Sequence, residues 1–571
     1  MKKALLILFA VTTCWLMATA VPAKPYPFSH VQSDGTTVTL VMRGGEFNHS
    51  LMTMDGYTVA QAPNGDYCYM ASGTLSDMIA HDKDSRGLEE QAFVIAYRDQ
   101  LTLAAQSRRS PRREETVSAP QVPNMGSPRI PIILVNYADV QFIDENPLFT
   151  FENQFNVMQY SCLRYFQSQS RGLFSPRFDI VGPVQLSQDR SYYGGNKRVY
   201  GQDCDKQLGT MIYEACNGVK GVDFSNYDND GDGIVDVVVV LYAGVGEAQA
   251  YRNVPESVWP CQWDMQEAYS WGCSTSGPFQ LNGVTINKFA VFNELEGYNN
   301  QSTNIDGIGT FCHEFSHCLG LPDFYPTNNI RVFGMGSWDL MDNGCYLNNG
   351  HTPAGYSSYE RHFMGWMDLI EPEEDSWNEM APLNTDEGTA YKIVNDSNAN
   401  EYYLLEYRVK TGWDAYLPGQ GIMILHVDYD QTAWDENTPN NESAHQRMTL
   451  IPADGVLNGF TSSTDLWPQG DKDCLTNVST PAATVYTGGY MNKPITGMTV
   501  DQGAQLAGFW FMKLLLGDVN RDGEVSIADI NALIDAILGK DIKATPSLDV
   551  NRDGELTVGD VNALVDLILK E

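Results

Sequence analysis

The sequence predicts an α+β protein of several domains: an α/β domain around one distinctive helix, a β-rich domain, and a small α domain. Three observations carry that reading. At 571 residues the chain is too long for a single hydrophobic core. Residues 129–380 alternate apolar strand patterns with helical ones, whereas residues 385–515 are strand-rich. Finally, Asp518-Val-Asn-Arg-Asp-Gly-Glu recurs as Asp549-Val-Asn-Arg-Asp-Gly-Glu, and each copy leads into an apolar-periodic helix, Ile530–Leu538 and Val561–Leu569. The aromatic content of 11% is ample for folded domains and excludes wholesale disorder.

Read from the start, Lys2 and Lys3 precede an apolar stretch, Ala4 to Leu16, and the small-residue run Ala18-Thr19-Ala20. That is the pattern of a signal peptide at residues 1–20, so the product is expected to be secreted, extracellular or surface-associated. The apolar stretch is too short for a membrane span, and no transmembrane segment is expected elsewhere. Acidic residues outnumber basic ones 72 to 36, a formal charge of −36. Such a field repels nucleic acid and anionic membrane, so neither is an expected partner. Ten of the 11 cysteines follow the leader, in a compartment where disulfides persist. Sequence does not give their pairing, and Cys261/Cys273 and Cys204/Cys216 are candidate local pairs.

Residues 24–106 alternate short strands with the turn signals Asp34-Gly35, Asp55-Gly56 and Asn64-Gly65. The Arg-rich stretch Ser107–Glu114 then breaks the acidic composition and offers a ready proteolytic site at Arg108–Arg113. Residues 21–115 therefore read as a pro-segment, 116–380 as the α/β domain, 381–515 as the β-rich domain and 517–571 as the small α tail. Ile130-Pro-Ile-Ile-Leu-Val-Asn-Tyr and Val237-Val-Val-Val-Leu-Tyr read as buried strands of the α/β domain.

The chemistry sits at His313-Glu-Phe-Ser-His317. Histidines four apart on a helix project from one face and can chelate one ion, and zinc takes nitrogen ligands with one position left to water. Glu314 stands where its carboxylate can take a proton from that water, so it is the expected general base of a hydrolase. Gly320 lets the helix stop and the chain turn, which brings Asp323 toward the metal as third ligand. Met341, in Gly336-Ser-Trp-Asp-Leu-Met, fits a turn forming an apolar floor under the site. Glu360, on a later helix, is the competing third ligand.

Residues 313–325, His-Glu-Phe-Ser-His-Cys-Leu-Gly-Leu-Pro-Asp-Phe-Tyr, resemble the signature of immune inhibitor A-type metallopeptidases. The resemblance extends to the Asp-rich run from Asp223, to Trp338-Asp-Leu-Met and to Leu417-Pro-Gly-Gln-Gly-Ile. It implies a secreted zinc endopeptidase of metzincin-like fold, acting on proteins or peptides, with His313, His317 and Asp323 on the zinc and Glu314 as base. Two departures stand out. Typical metzincins have histidine at Asp323, and many have tyrosine where this chain has Asn343. The proton donor in the transition state is thus unassigned, with Tyr346 and His351 as candidates.

Three loops fit calcium. Asp228, Asp230, Asp232, Ile234 through its carbonyl, and Asp236 match alternating ligand positions of a calcium loop followed by a strand. In the tail, Asp518, Asn520, Asp522, Glu524, Ser526 and Asp529 form one set, and Asp549, Asn551, Asp553, Glu555, Thr557 and Asp560 the other. Paired loop-helix units of this kind resemble a type I dockerin, which implies a cohesin-like partner. The rival reading of the whole is a non-catalytic, calcium-dependent adhesion or scaffold protein with a relic zinc site.

Overall fold

The computed structural model describes residues 19–45, 48–71, 73–96, 122–199, 202–249, 254–297, 299, 301–328, 333–457, 461–513, 515–540, 548–553 and 555–570. The expected leader up to residue 18 and the Arg108–Arg113 cluster lie outside the described residues.

A mixed sheet of six strands forms the centre. In chain order these are β1 (Thr19–Ala20), β2 (Arg129–Asn136), β3 (Arg177–Gln185), β4 (Val238–Val245), β5 (Cys261–Asp264) and β6 (Lys288–Leu295), arranged β1-β5-β6-β4-β2-β3. From β6 to β3 the strands are parallel, while β5 runs antiparallel to β6 and β1 antiparallel to β5. The continuous apolar runs of β2 and β4 follow from cover on both faces. Ile132, Leu134, Val239 and Leu241 face one core; Ile133, Val135, Val238 and Val240 face another.

Helix α1 (Gly309–Cys318) lies on the first face. Its Phe311 and Phe315 are buried in an aromatic cluster with Phe155, Phe166 and Phe178. Gly309 admits the carbonyl of Cys345 where a Cβ would come within 1.8 Å of that oxygen, so the helix begins jammed against the loop that follows the expected methionine turn. The opposite face is covered in part by residues 28–79, which form two three-stranded antiparallel sheets and contribute Val38, Leu40 and Tyr69 to the shared core.

Among the described residues, two larger antiparallel sheets and the two-stranded pair Thr484–Val485 with Gly489–Tyr490 make the β-rich region. One holds Ala390–Asn395, Asn398–Arg408, Gly421–Asp428 and Met448–Leu450; the other holds Ser376–Met380, Ile495–Asp501 and Leu506–Phe511. This region starts about five residues ahead of the expected boundary at 381, because Ser376–Met380 pairs along its length with Leu506–Phe511. Tyr402 and Leu404 pack into the core beneath α1, while Tyr403 and Leu405 pack with Phe509, so this strand too is covered on both sides.

The cysteine juxtaposition departs from expectation. Cys204 and Cys273 bring their Sγ atoms to 3.2 Å, whereas Cys216 is buried on the helix Leu208–Gly218 and Cys261 on β5. Proximity in sequence is a poor guide here, because the amide of Gly209 bonds the carbonyl of Cys273 and draws the distant loop in. Among the described residues no helix is long and apolar enough to cross a membrane.

Candidate metal centre

The end of α1 builds the site. Gly320 has φ 101°, its amide bonds the carbonyl of His317, and the amide of Leu321 bonds the carbonyl of Ser316. That is a Schellman closure, which a glycine at this left-handed position permits without strain. It also aims the carbonyl of Leu321 at Nδ1 of His317, 2.7 Å away, while the carbonyl of Leu340 meets Nδ1 of His313 at 2.8 Å. A carbonyl oxygen only accepts, so both Nδ1 atoms carry the hydrogen and both Nε2 atoms present lone pairs.

Those lone pairs converge with a carboxylate. His313 Nε2 lies 3.1 Å from Asp323 Oδ1, His317 Nε2 lies 3.3 Å from it, and the two Nε2 atoms are 3.2 Å apart. Three acceptors facing one another call for a cation. A tetrahedral ion with ligands at about 2.0–2.1 Å sets neighbouring donors about 3.3 Å apart, so the donor set fits such an ion. Burial holds the His313 imidazole below its ordinary value, in the neutral form a ligand needs. Asp323 is gripped in turn by Asn437, whose Nδ2 donates to Oδ2 and whose Oδ1 accepts the Asp323 amide, both at 2.6 Å.

Glu314 is fully buried beside this centre, and its Oε1 accepts the backbone amide of Val21 at 2.7 Å. The stretch Ala20–Pro22 therefore runs beside this centre. Ala20 pairs with Cys261 of β5, its carbonyl accepts from the Tyr325 hydroxyl, and the carbonyls of Val21 and Pro22 accept from Trp259 Nε1 and the Tyr346 hydroxyl.

Met341 is buried below, its carbonyl accepting the Phe324 amide and its amide bonding Asp339 Oδ1. Glu360, the competing ligand, is placed elsewhere. On α2 (Ser358–Phe363) it closes a capping box with Ser357 and lies in a buried charge cluster with Asp339 and Arg408. His351 is exposed at the end of the helical turns Asn343–Gly350.

Asp228, Asp230 and Asp236 bring carboxylate oxygens within 4.8 Å of one another, as do Asp518, Asp522 and Asp529. In the first loop Asp228 accepts the amides of Gly231, Asp232 and Gly233, and Asp232 that of Ile234. Burial pushes the Asp236 carboxyl up to about 6, so a cation there relieves a real penalty. In the tail, Asp529 and Asp560 each close a capping box, with Ser526 and Thr557, and so open α3 (Ile527–Ile537) and α4 (Val558–Ile568) three residues ahead of the expected starts. Asn520 and Asn551 accept the amides of Asp522 and Asp553, which in turn accept those of Glu524 and Glu555; Asp549 accepts the amide of Asp553.

A buried His-Glu-x-x-His helix with a third convergent carboxylate defines a metal centre of the kind metallopeptidases carry. Residues 134–367 match the immune inhibitor A peptidase M6 catalytic domain, and residues 516–569 match the dockerin type I domain. The chain is 26% identical over 255 residues to the pre-pro-metalloprotease PrtV of Vibrio cholerae serotype O1 (strain M66-2), covering 40% of this chain and 26% of that protein. It is 22% identical over 309 residues to Immune inhibitor A of Bacillus thuringiensis subsp. alesti, covering 45% of this chain and 43% of that one. The match thus spans less than half the length of either relative. The His-Glu-x-x-His residues, Met341 and the 228–236 loop fall inside the residues matched by the peptidase domain, and both tail loops inside those matched by the dockerin domain.

Sequence reasoning missed Asn437, Trp259, Tyr325 and the cleft-bound stretch from Ala20. Only Tyr325 carried a signal, its place two residues after Asp323.

Proposed function

We propose that this protein is a secreted, zinc-dependent endopeptidase of metzincin-like fold, synthesised with a leader and a latent pro-segment. The convergence of His313, His317 and Asp323 next to Glu314 carries the reading. Bound there, zinc acidifies a water and polarises the substrate carbonyl. Glu314 takes the proton from the attacking water and hands it to the leaving nitrogen; its 2.7 Å approach to the Val21 amide is the reach that transfer needs. Strand β5 is an edge once β1 is gone, and an extended substrate adds to it antiparallel as Ala20 does. Asp228, Asp230, Asp232, Ile234 and Asp236 hold a structural calcium, and the tail holds two more. Calcium gathers the tail into a docking surface for a cohesin-like partner.

The test uses processed full-length protein on casein. Hydrolysis that a chelator stops and zinc restores supports the reading. Glu314→Gln should keep its zinc and lose nearly all turnover, and an active Glu314→Gln protein would sink the mechanism.

A further inference from the structure

Resting on the peptidase reading, we infer that Tyr325 is a further catalytic residue, its hydroxyl donating to the carbonyl oxygen of the bond being cut. The junction between the expected leader and the chain that follows, a peptide group the secreted protein no longer carries, stands in the cleft as a substrate would and supplies the geometry. The peptide group joining Ala20 to Val21 offers its N–H to Glu314 Oε1 at 2.7 Å, and its C=O accepts from the Tyr325 hydroxyl at 2.5 Å. One planar amide is therefore held between the carboxylate that delivers a proton to nitrogen and a hydroxyl aimed at oxygen. Its neighbours are read by other groups: Trp259 Nε1 donates to the Val21 carbonyl at 3.1 Å and Tyr346 to the Pro22 carbonyl at 2.7 Å. The antiparallel pairing of β1 with β5 gives this stretch the register of an added strand.

Tyr325 is also rigidly mounted. It follows Asp323 on one loop, and the intervening Phe324 is fixed by backbone bonds to Met341 and Met335 and by Asn440 Nδ2 on its carbonyl. A Cβ on Gly45 would come within 2.7 Å of the phenolic oxygen, so the pro-segment packs directly over that hydroxyl. Removing the pro-segment uncovers it to the cleft.

In the reaction, the water oxygen bonds to the carbonyl carbon and the C=O π pair moves onto oxygen. Tyr325 donates to that growing negative charge and keeps its proton. The water's proton passes to Glu314 and then to the amide nitrogen, which leaves with the C–N bonding pair, giving a carboxylic acid and an amine. A preorganised donor at such an oxygen is worth about 10²–10³ in rate. Tyr346 touches a carbonyl that does not change, so it contributes to binding alone.

The experiment compares wild type, Tyr325→Phe, Tyr346→Phe and Glu314→Gln in processed full-length protein. It measures turnover of an internally quenched peptide, bound zinc, and inhibition by a phosphinic peptide that mimics the tetrahedral state. Tyr325→Phe should lower kcat about 10²–10³-fold, leave KM within about twofold and zinc content unchanged, and weaken phosphinic inhibition by a similar factor. Tyr346→Phe should raise KM and hold kcat. A Tyr325→Phe enzyme with wild-type kcat, or one that loses its zinc, overturns the assignment, as does a kcat loss confined to Tyr346→Phe. A wild type as inert as Glu314→Gln removes the peptidase reading itself, and this assignment with it.

Discussion

Asn437 holds Asp323 at both ends of its amide, donating to the carboxylate and accepting from the backbone of the same residue, each at 2.6 Å. The proposed third ligand is thus oriented by a residue 114 positions away, beyond the matched peptidase domain. Outer partners of this kind typically affect metal affinity 10–100-fold. Asn437→Ala should weaken zinc binding by about that factor, and Asp323→Ala by more. Glu360→Ala should leave zinc affinity near wild type, because Glu360 is committed to its capping box with Ser357. Chelator competition on the purified variants ranks them, and a Glu360 variant weaker than the Asp323 variant would refute this ligand set.

Latency follows from the same cleft. While Val21 and Pro22, the first residues after the expected leader, hold the Trp259 and Tyr346 contacts, a substrate strand cannot take them. The unprocessed chain should be inactive on both casein and short peptides. Cleavage within Arg108–Arg113 should raise activity, giving an active form that begins near residues 109–130. N-terminal sequencing beside an activity time course checks it; full activity in the uncut chain would exclude the blockade.

How far the sequence anticipated this depends on the range of each interaction. His313, Glu314, His317 and Gly320 are legible because one helix turn and its closing motif place them. The clustering of Asp228, Asp230 and Asp236 and of Asp518, Asp522 and Asp529 is legible for the same reason, each set lying within a dozen residues. Asp323 follows from the local turn, but its orientation depends on Asn437, which no local pattern marks. Tyr325 stands in plain view, yet its role depends on the stretch from Ala20 that crosses the cleft. The cysteine pairs were judged by proximity in sequence, and tertiary packing set Cys204 against Cys273 instead. The β-rich boundary was placed late because the partner of Ser376–Met380 lies at the far end of that region.

The floor of the site should lose stability as pH rises toward neutrality. Burial pushes the Asp339 carboxyl up to about 7, with Asp342 and Glu406 adding to the rise and Arg408 opposing it. Burial also pushes up Glu360, and Asp339 is its next cause. A raised carboxyl pKa favours the folded state fully below the ordinary value of 3.8 and loses that contribution as pH rises through about 7. Asp339 Oδ2 and Glu360 Oε1 are both buried without a hydrogen-bond partner, so a proton on Asp339 removes one of two buried like charges. Asp339→Asn mimics the protonated form and keeps an oxygen for the Met341 amide. The fall in Tm between about pH 4 and 7 should be flatter in Asp339→Asn than in wild type; identical slopes over that window would exclude Asp339 as the group responsible.

The tail should fold with calcium and act apart from hydrolysis. Its core is small, centred on Val519, Leu533, Leu548, Val550 and Leu564, so burial alone gives little stability. The acidic loop works against it: burial pushes the Asp518 carboxyl up to about 7, and Asp529 and Asp522 add like charge. Without metal, the stability lent by a protonated Asp518 is complete below 3.8 and lost as pH rises through about 7. Calcium replaces that proton with a cation, so metal binding and folding are coupled most strongly above neutrality. The isolated tail should gain helical circular dichroism on adding calcium at pH 8, with a smaller gain at pH 5, and Asp518→Ala with Asp549→Ala should abolish it. In the full chain the first loop meets the β-rich region, through Arg521 on Glu374 at 3.2 Å and Gly523 against Pro494. Deleting residues 517–571 should therefore leave hydrolysis of a short peptide unchanged. If the tail docks a cohesin-like protein, capture should need calcium and reverse in chelator. A tail equally helical without calcium would refute the coupling, and lost peptide hydrolysis on deletion would show that it supports the catalytic domain.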